Sequence, residues 1–221
     1  MKAETVYQKL LEKANKNFTN GGIALDRARA VYLFNEEQNK FVEWTIQKKL
    51  NFDVQDIQIL LDTEKLKLKK SGSTFTTFGL PDNFFSFVNI DILASKGACT
   101  SERMMPIPIK PENSHEILFD EENKPSFKYR ETPYTLENNT VNVYKDDFEV
   151  SSVTLKFYRY PKQFNLEGYI TEHGENSFNS DPEFDDKIVD RIISMCITSF
   201  DINNENINKL QADINRVNSK V

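Results

Sequence analysis

The sequence contains few of the residues on which most enzyme sites are built. Its 221 residues include two cysteines, two histidines and seven glycines. Cys99 and Cys196 are too few for a disulfide framework, and Cys196 lies in an apolar run typical of a core position in a reducing compartment. No C-x-x-C, H-E-x-x-H, P-loop, G-x-G-x-x-G or G-x-S-x-G motif occurs. These absences favour a protein with no catalytic residues, no cofactor and no metal.

The bulk composition argues against a membrane-spanning protein and against a general nucleic-acid-binding protein. Apolar residues make up 38% of the chain, below the ~45–50% of typical globular proteins, and no apolar run approaches the ~18 residues of a membrane span. The net charge of −6 gives no reason to expect general binding to nucleic acids or anionic membranes. An amphipathic helix follows Met1 directly with no secretory signal, so we expect synthesis in a cytoplasm.

The hydrophobic periodicity predicts helices at both ends of the chain. A period of 3.6 residues covers 3–18, 24–48 and 181–200, and Asp53 is expected to cap a short further helix. The middle of the second helix, 35–39, is polar on every side. We therefore expect part of this helix to be solvated or to face another subunit.

Between these helices the period changes to two. Residues 150–160 form the strongest predicted strand, and Asn138-Asn139 predicts a tight hairpin because asparagine tolerates positive φ. Prolines punctuate 95–125, which predicts an extended arm rather than a central strand. The predicted class is α+β, with terminal helices forming a small bundle, an inserted antiparallel β region and a long extended arm. The predicted parts are 1–62, 63–162 and 163–221.

The helix over 181–200 is the expected centre of the fold. Its apolar positions cover most of its circumference, which is typical of a buried helix. Asp181 is the predicted cap and Pro182 suits the first turn. The segment 203–221 differs, because its apolar residues form a narrow 3-4-3-4 seam that must pack on another helix, its own or a neighbour's. The seam consists of Ile207, Leu210, Ile214, Val217 and Val221.

One acidic cluster and one basic run are candidate sites. The cluster is Asp181, Glu183, Asp185 and Asp186. It fits either carboxylates favoured by a helix dipole or a two-metal site in a hydrolase or nuclease; we favour the first. The basic run is Lys65, Lys67, Lys69 and Lys70, which fits either an edge strand protected from unwanted pairing or a contact with phosphates; we favour the first.

The remaining candidates have simple structural interpretations. His115 and His173 lie in predicted loops and are interpreted as surface residues, and neither cysteine has a metal partner at ligand spacing. Asp120-Glu121-Glu122-Asn123 lacks the glycine and terminal glutamate of a calcium loop and is interpreted as a solvated turn. The aromatic face of Tyr129, Tyr158 and Tyr160 could stack on bases, but packing or a protein contact is favoured in an acidic chain.

Three motifs in this order resemble a known family. They are F-x-L-P-D-x-F-F at 78–85, V-x-L-K-F-Y-R-Y-P-K at 153–162 and D-P-E-F-D-D-K-I-V-D-R-I-I at 181–193. Together with the N-terminal helix pair, they resemble the head–tail connector (adaptor or ring) proteins of short-tailed double-stranded DNA phages. The likeness is greatest to the ring proteins of crAss-like phages.

The resemblance implies a structural virion protein, not an enzyme. Such a protein would form a ring of about twelve copies, docked on the portal or an adjacent connector or tail ring, with double-stranded DNA passing through its channel without sequence-specific binding. It implies no catalytic, cofactor-binding or metal-binding residues and no membrane partner. The alternatives are a metal-dependent hydrolase or nuclease at the acidic cluster, and a non-viral interaction module that uses the aromatic sheet face.

Overall fold

The chain folds into helices and an eight-stranded sheet, so its class is α+β. The structure is a computed structural model that describes residues 1–17, 25–48, 53–114, 116–120, 123–171 and 174–200. It has two compact units, one built from Met1–Ile59 and Pro161–Val221 and the other from Leu60–Tyr160. The sequence-based boundaries stand at 62/63 and 162/163. The predicted seam over 203–221, His115 and His173 lie outside the described residues.

The described residues of the first unit form three α-helices. They are α1 (Ala3–Asn17), α2 (Arg27–Ile46) and α3 (186–200), and a 3-10 helix covers Val54–Leu60. The prediction that α3 is a buried helix is confirmed. Its buried side chains are Ile188, Val189, Ile192, Ile193, Cys196, Ile197 and Phe200. Four other positions are exposed, Asp186, Lys187, Ser194 and Thr198, so the helix buries a broad apolar face and keeps a polar side.

The second unit is a single curled sheet. Its strands are β1 (Leu61–Lys65), β2 (Lys67–Ser71), β3 (Phe75–Gly79), β4 (Phe84–Lys96), β5 (Cys99–Pro108), β6 (Glu131–Glu137), β7 (Thr140–Tyr144) and β8 (Glu149–Arg159). Their order across the sheet is β1-β8-β4-β5-β6-β7-β3-β2.

A bent run of chain joins the two ends of this sheet. β1 and β2 stand at opposite ends of the strand order, yet only Leu66 separates them along the chain. The Leu66 N–H donates to the Val153 carbonyl of β8 (2.8 Å), and its side chain is buried. The sheet therefore curls around one core, which is formed by Leu66, Phe78, Ile90, Ile92, Ala94, Met104, Tyr134, Val141, Val143, Phe148, Val153, Leu155 and Phe157.

The prediction of an extended arm over 95–125 is wrong for its first half. That half contains the end of β4 and all of β5, which pairs with β4 and with β6. The predicted purely antiparallel β region is also corrected, because β5 and β6 run parallel. Past β5 the chain makes two short 3-10 turns, Pro111–Asn113 and Glu116–Leu118.

The prolines of β5 are accommodated by the alternation of its backbone donors. The Met105 N–H donates to the carbonyl of Arg130, the residue before β6, and the Ile109 N–H donates to the carbonyl of Tyr134 within β6. Pro106 and Pro108 occupy the alternate positions, so the donors that they lack would point away from β6. Pairing with β4 ends at Met104, which leaves no described strand on that side to require them.

The predicted hairpin at Asn138-Asn139 is confirmed. It joins β6 to β7, and both asparagines have positive φ, 46° and 60°. The Asn139 carbonyl also accepts the Leu80 N–H (3.1 Å), which fixes the turn beside the end of β3.

Replacing Asn139 by valine should lower the free energy of unfolding of this unit by about 1–2 kcal/mol, because a β-branched residue is strained at positive φ. Asn139→Gly is the matched control and should leave the stability unchanged or slightly higher. Urea unfolding followed by far-UV circular dichroism in the strand region measures both. Equal stability of the two variants would contradict the strained-turn geometry.

Candidate functional site

The acidic segment 181–186 begins as extended chain, not as helix. Pro182 and Phe184 are buried while Asp181 and Asp185 are exposed, an alternation typical of an extended strand. Phe184 packs edge-to-face on Phe41 of α2 with ring centroids 5.9 Å apart. The chain bends at Glu183 and Phe184, and the helix begins only at 186.

Asp185, not Asp181, caps α3. Its Oδ1 accepts the Ile188 N–H (2.9 Å), and its carbonyl accepts the Val189 N–H (3.0 Å). This is the N-cap geometry in which one side-chain oxygen satisfies a free donor of the first turn. The predicted cap at Asp181 is wrong because the buried Pro182 and Phe184 delay the helix by one turn.

Asp181 instead serves the start of α1. The Ala3 N–H donates to its Oδ1 (2.7 Å), and the Lys2 ammonium donates to its Oδ2 (2.9 Å). The hydrogen bond from Lys2, followed by that from the Ala3 backbone, lowers the pKa of Asp181 below its ordinary value. A residue 178 positions away in sequence therefore acts as a cap for the N-terminal helix.

The other two carboxylates also contact their own chain. Glu183 accepts the Lys162 N–H (2.8 Å). Asp186 pairs with the amine of Met1 (2.7 Å), and that hydrogen bond lowers the pKa of Asp186. The four predicted site carboxylates are thus directed to different partners. Within the described residues, no group of three or more His, Cys, Asp or Glu side chains could hold a metal ion.

The polar middle of α2 is only partly solvated. The Asn35 side chain exchanges two hydrogen bonds with the Phe164 backbone, both 2.8 Å, and Gln38 donates to the Lys162 carbonyl (3.0 Å). Glu37 is only 2% exposed and accepts from Lys40 and from Ser199 of α3, both at 2.8 Å. Asn35, Glu37 and Gln38 thus contact the chain's own segments, whereas Asn39 is exposed to solvent.

Two amide side chains at positions i and i+3 of one helix face are the sequence signal for this contact with backbone groups. Asn35 and Gln38 have that spacing, and each pairs with backbone of an extended segment that begins after Pro161. Sequence spacing identifies the amide pair but not its partner, because the partner lies more than a hundred residues away.

The remaining candidates are placed as follows. Cys196 is buried, and burial raises the pKa of its thiol, whereas Cys99 is exposed on the β4–β5 hairpin. Tyr158 is buried while Tyr129 and Tyr160 are exposed, so the predicted tyrosine face is not one continuous surface. Glu121 and Glu122 of the acidic turn lie outside the described residues.

The four lysines of the basic run are exposed on β1 and β2, the two edge strands of the sheet. Their predicted position on an edge strand is confirmed.

No protein-family model matches the sequence, and no curated protein shows significant similarity to it. None of the helices in the described ranges is both long and apolar enough to cross a membrane.

Replacing Asp181 by alanine should destabilise the first unit by about 1 kcal/mol at neutral pH, as loss of a capping carboxylate does. Since the folded pKa of Asp181 is lowered, its stabilisation is present above the unfolded pKa of about 3.9 and is lost as the pH falls through the folded pKa. The difference from wild type should therefore shrink below about pH 4.

The fluorescence of Trp44, the only tryptophan, reports urea unfolding of this unit. Glu12→Ala is the control, because Glu12 is an exposed carboxylate of α1 with no ion pair among the described residues. A pH-independent difference between wild type and Asp181→Ala would contradict the proposed role of the ionised carboxylate.

For the cap of α3, Asp185→Ala should lower the free energy of unfolding by about 1 kcal/mol, while Asp185→Ser should retain most of the stability because serine also caps. The same fluorescence experiment measures both variants. Equal losses in the two variants would show that Asp185 does not act through the cap.

Proposed function

We propose that this chain is a structural subunit of a homo-oligomeric head–tail connector ring in a short-tailed double-stranded DNA phage. In this proposal the ring has about twelve copies, docks on the portal or an adjacent ring and extends the DNA channel. The observation that carries the proposal is the role of the acidic segment. Its carboxylates link the N-terminus, α1, the segment after β8 and the start of α3.

The motifs on which the resemblance depends also contact one another. The Tyr160 N–H donates to the Asn83 carbonyl (2.8 Å), and the rings of Phe85 and Tyr160 pack edge-to-face with centroids 4.8 Å apart. These contacts join the motif at 78–85 to the motif at 153–162. The Lys162 N–H then joins the second motif to Glu183 of the third. The resemblance therefore lies in residues that hold the fold together, as expected for a structural subunit.

Exposed apolar side chains supply surface for subunit contacts. In the described part of the chain, Phe119 is 86% exposed, Ile170 71% and Phe178 68%. Phe119 lies in the segment that follows β5, and Ile170 and Phe178 lie in the excursion between β8 and α3. We propose that these segments contact neighbouring subunits and that the helices of the first unit form a small bundle in the ring. The part of the predicted arm that remains in this proposal is 109–125.

Removing 203–221 should abolish ring assembly and leave the folded subunit intact, because the apolar seam of that segment would serve a neighbouring helix. Native mass spectrometry with the partner ring present measures assembly, and Trp44 fluorescence measures folding. Unfolding of the truncated chain would place the seam within the subunit and contradict this part of the proposal.

Electron microscopy and mass spectrometry of the purified particle test the ring itself. The expected result is a stoichiometric ring between portal and tail, and absence of the protein from particles would overturn the proposal. Calorimetric binding of Mn²⁺ that is lost in both Asp185→Ala and Asp185→Ser would favour the metal-dependent hydrolase instead.

A further inference from the structure

Four lysines lie on one exposed side of the run 61–71, which forms β1 and β2 and bends at Leu66. This side, made of Lys65, Lys67, Lys69 and Lys70, is called the lysine face. Along this run Leu66 points into the core, so by the two-residue alternation of a strand Lys65 and Lys67 point outward. At 3.3 Å per residue a straight run from Lys65 to Lys70 would span roughly 16 Å, so this is the upper limit for the length of the bent face.

A β-bulge brings the last two lysines onto the same face. Lys67 pairs with Gly79 and Leu68 with Phe78, but the next pair is Lys70 with Thr77, which leaves Lys69 as the extra residue. A Cβ at Gly79 would lie 2.7 Å from Cε of Lys69, so the Lys69 stem lies over Gly79 on the side of Lys67. Without the bulge, Lys70 would alternate to the opposite face.

These charges have no intramolecular use in the described residues. All four side chains are exposed, and none forms an ion pair with another residue of the described ranges. Lys67 and Lys69 line a cleft of about 460 Å³ beside the turn at 79–83, with Glu64 and Asp82 as the acidic residues of its lining.

We propose that the lysine face binds the phosphate backbone of double-stranded DNA without reading its bases. A duplex carries one charge per ~1.7 Å of its axis, so a row of this length reaches several phosphates. The net charge of −6 does not prevent this contact, because charges farther away than the Debye length of about 8 Å are screened at physiological salt.

The composition of the face favours a duplex over other partners. The residues directly opposite it are Thr154, Gly79 and Thr77, none of which is an aromatic residue that could stack on the bases of a single strand. Protein interfaces are enriched in aromatic residues and arginine and depleted of lysine. Lysine binds phosphate as a flexible point charge, which suits contacts that carry no sequence information.

The biological setting of this duplex binding rests on the proposed ring function. Within that function, it identifies the lysine face as the surface that is directed toward the DNA. The binding itself is a property of the single full-length chain. A binding experiment therefore requires no ring, and its outcome is independent of whether the protein is found in particles.

The test is fluorescence anisotropy of a labelled mixed-sequence duplex with the full-length chain over a range of salt concentrations. Replacing all four lysines by glutamine should weaken binding by about tenfold or more at low salt. It should also lower the slope of log K against log salt by about 0.9 for each phosphate that the variant no longer neutralises. The fourfold lysine-to-arginine variant keeps the charge and should bind like wild type.

The matched control removes the same charge elsewhere, with Lys110, Lys124, Lys162 and Lys187 replaced by glutamine; all four are exposed. It should retain most of the binding. Equal weakening by both glutamine variants, or no duplex binding by wild type at low salt, would overturn the proposal. Tighter binding to single-stranded DNA or to polyglutamate than to the duplex would overturn the choice of partner.

Discussion

The first unit depends on satisfying backbone donors that would otherwise be left without acceptors. Helix starts and extended segments expose N–H groups, and a buried donor without a partner costs about 1–3 kcal/mol. Here Asp181, Asp185 and Asn35 accept from Ala3, Ile188 and Phe164. Polar side chains that look like a site in the sequence are thus distributed among the points where the backbone needs them.

The second unit satisfies its backbone in another way. The run 61–71 bends at Leu66 and pairs first with β8 and then with β3, so one segment supplies both ends of the sheet. β1 and β2 each have one backbone edge with no described partner strand. Lysines on such an edge oppose pairing with a strand of another chain. The lysine face is therefore compatible with two roles at once, because an exposed ammonium group that repels a strand can also bind a phosphate.

Local patterns predicted the features that local physics decides. The burial of α3 follows from its apolar circumference, and the turn at Asn138-Asn139 follows from the tolerance of asparagine for positive φ. The errors concern residues whose surroundings come from distant sequence. Pro106 and Pro108 are permitted in β5 because their side of the strand has no described partner, and the delay of α3 depends on Phe184 packing on Phe41. Neither constraint is visible within a window of a few residues.

The same distinction decides how the candidate site is interpreted. Spacing identified Asp181, Glu183, Asp185 and Asp186 as a group but could not tell a metal site from a set of caps, since both need carboxylates near a helix start. A metal requires several oxygens to converge on one point, whereas these oxygens are already engaged with Ala3, Lys162, Ile188 and Met1. Moving them together would leave two helix starts without their acceptors. The geometry therefore favours a role for these carboxylates in holding the first unit together, which is what the proposed ring would need from each of its copies.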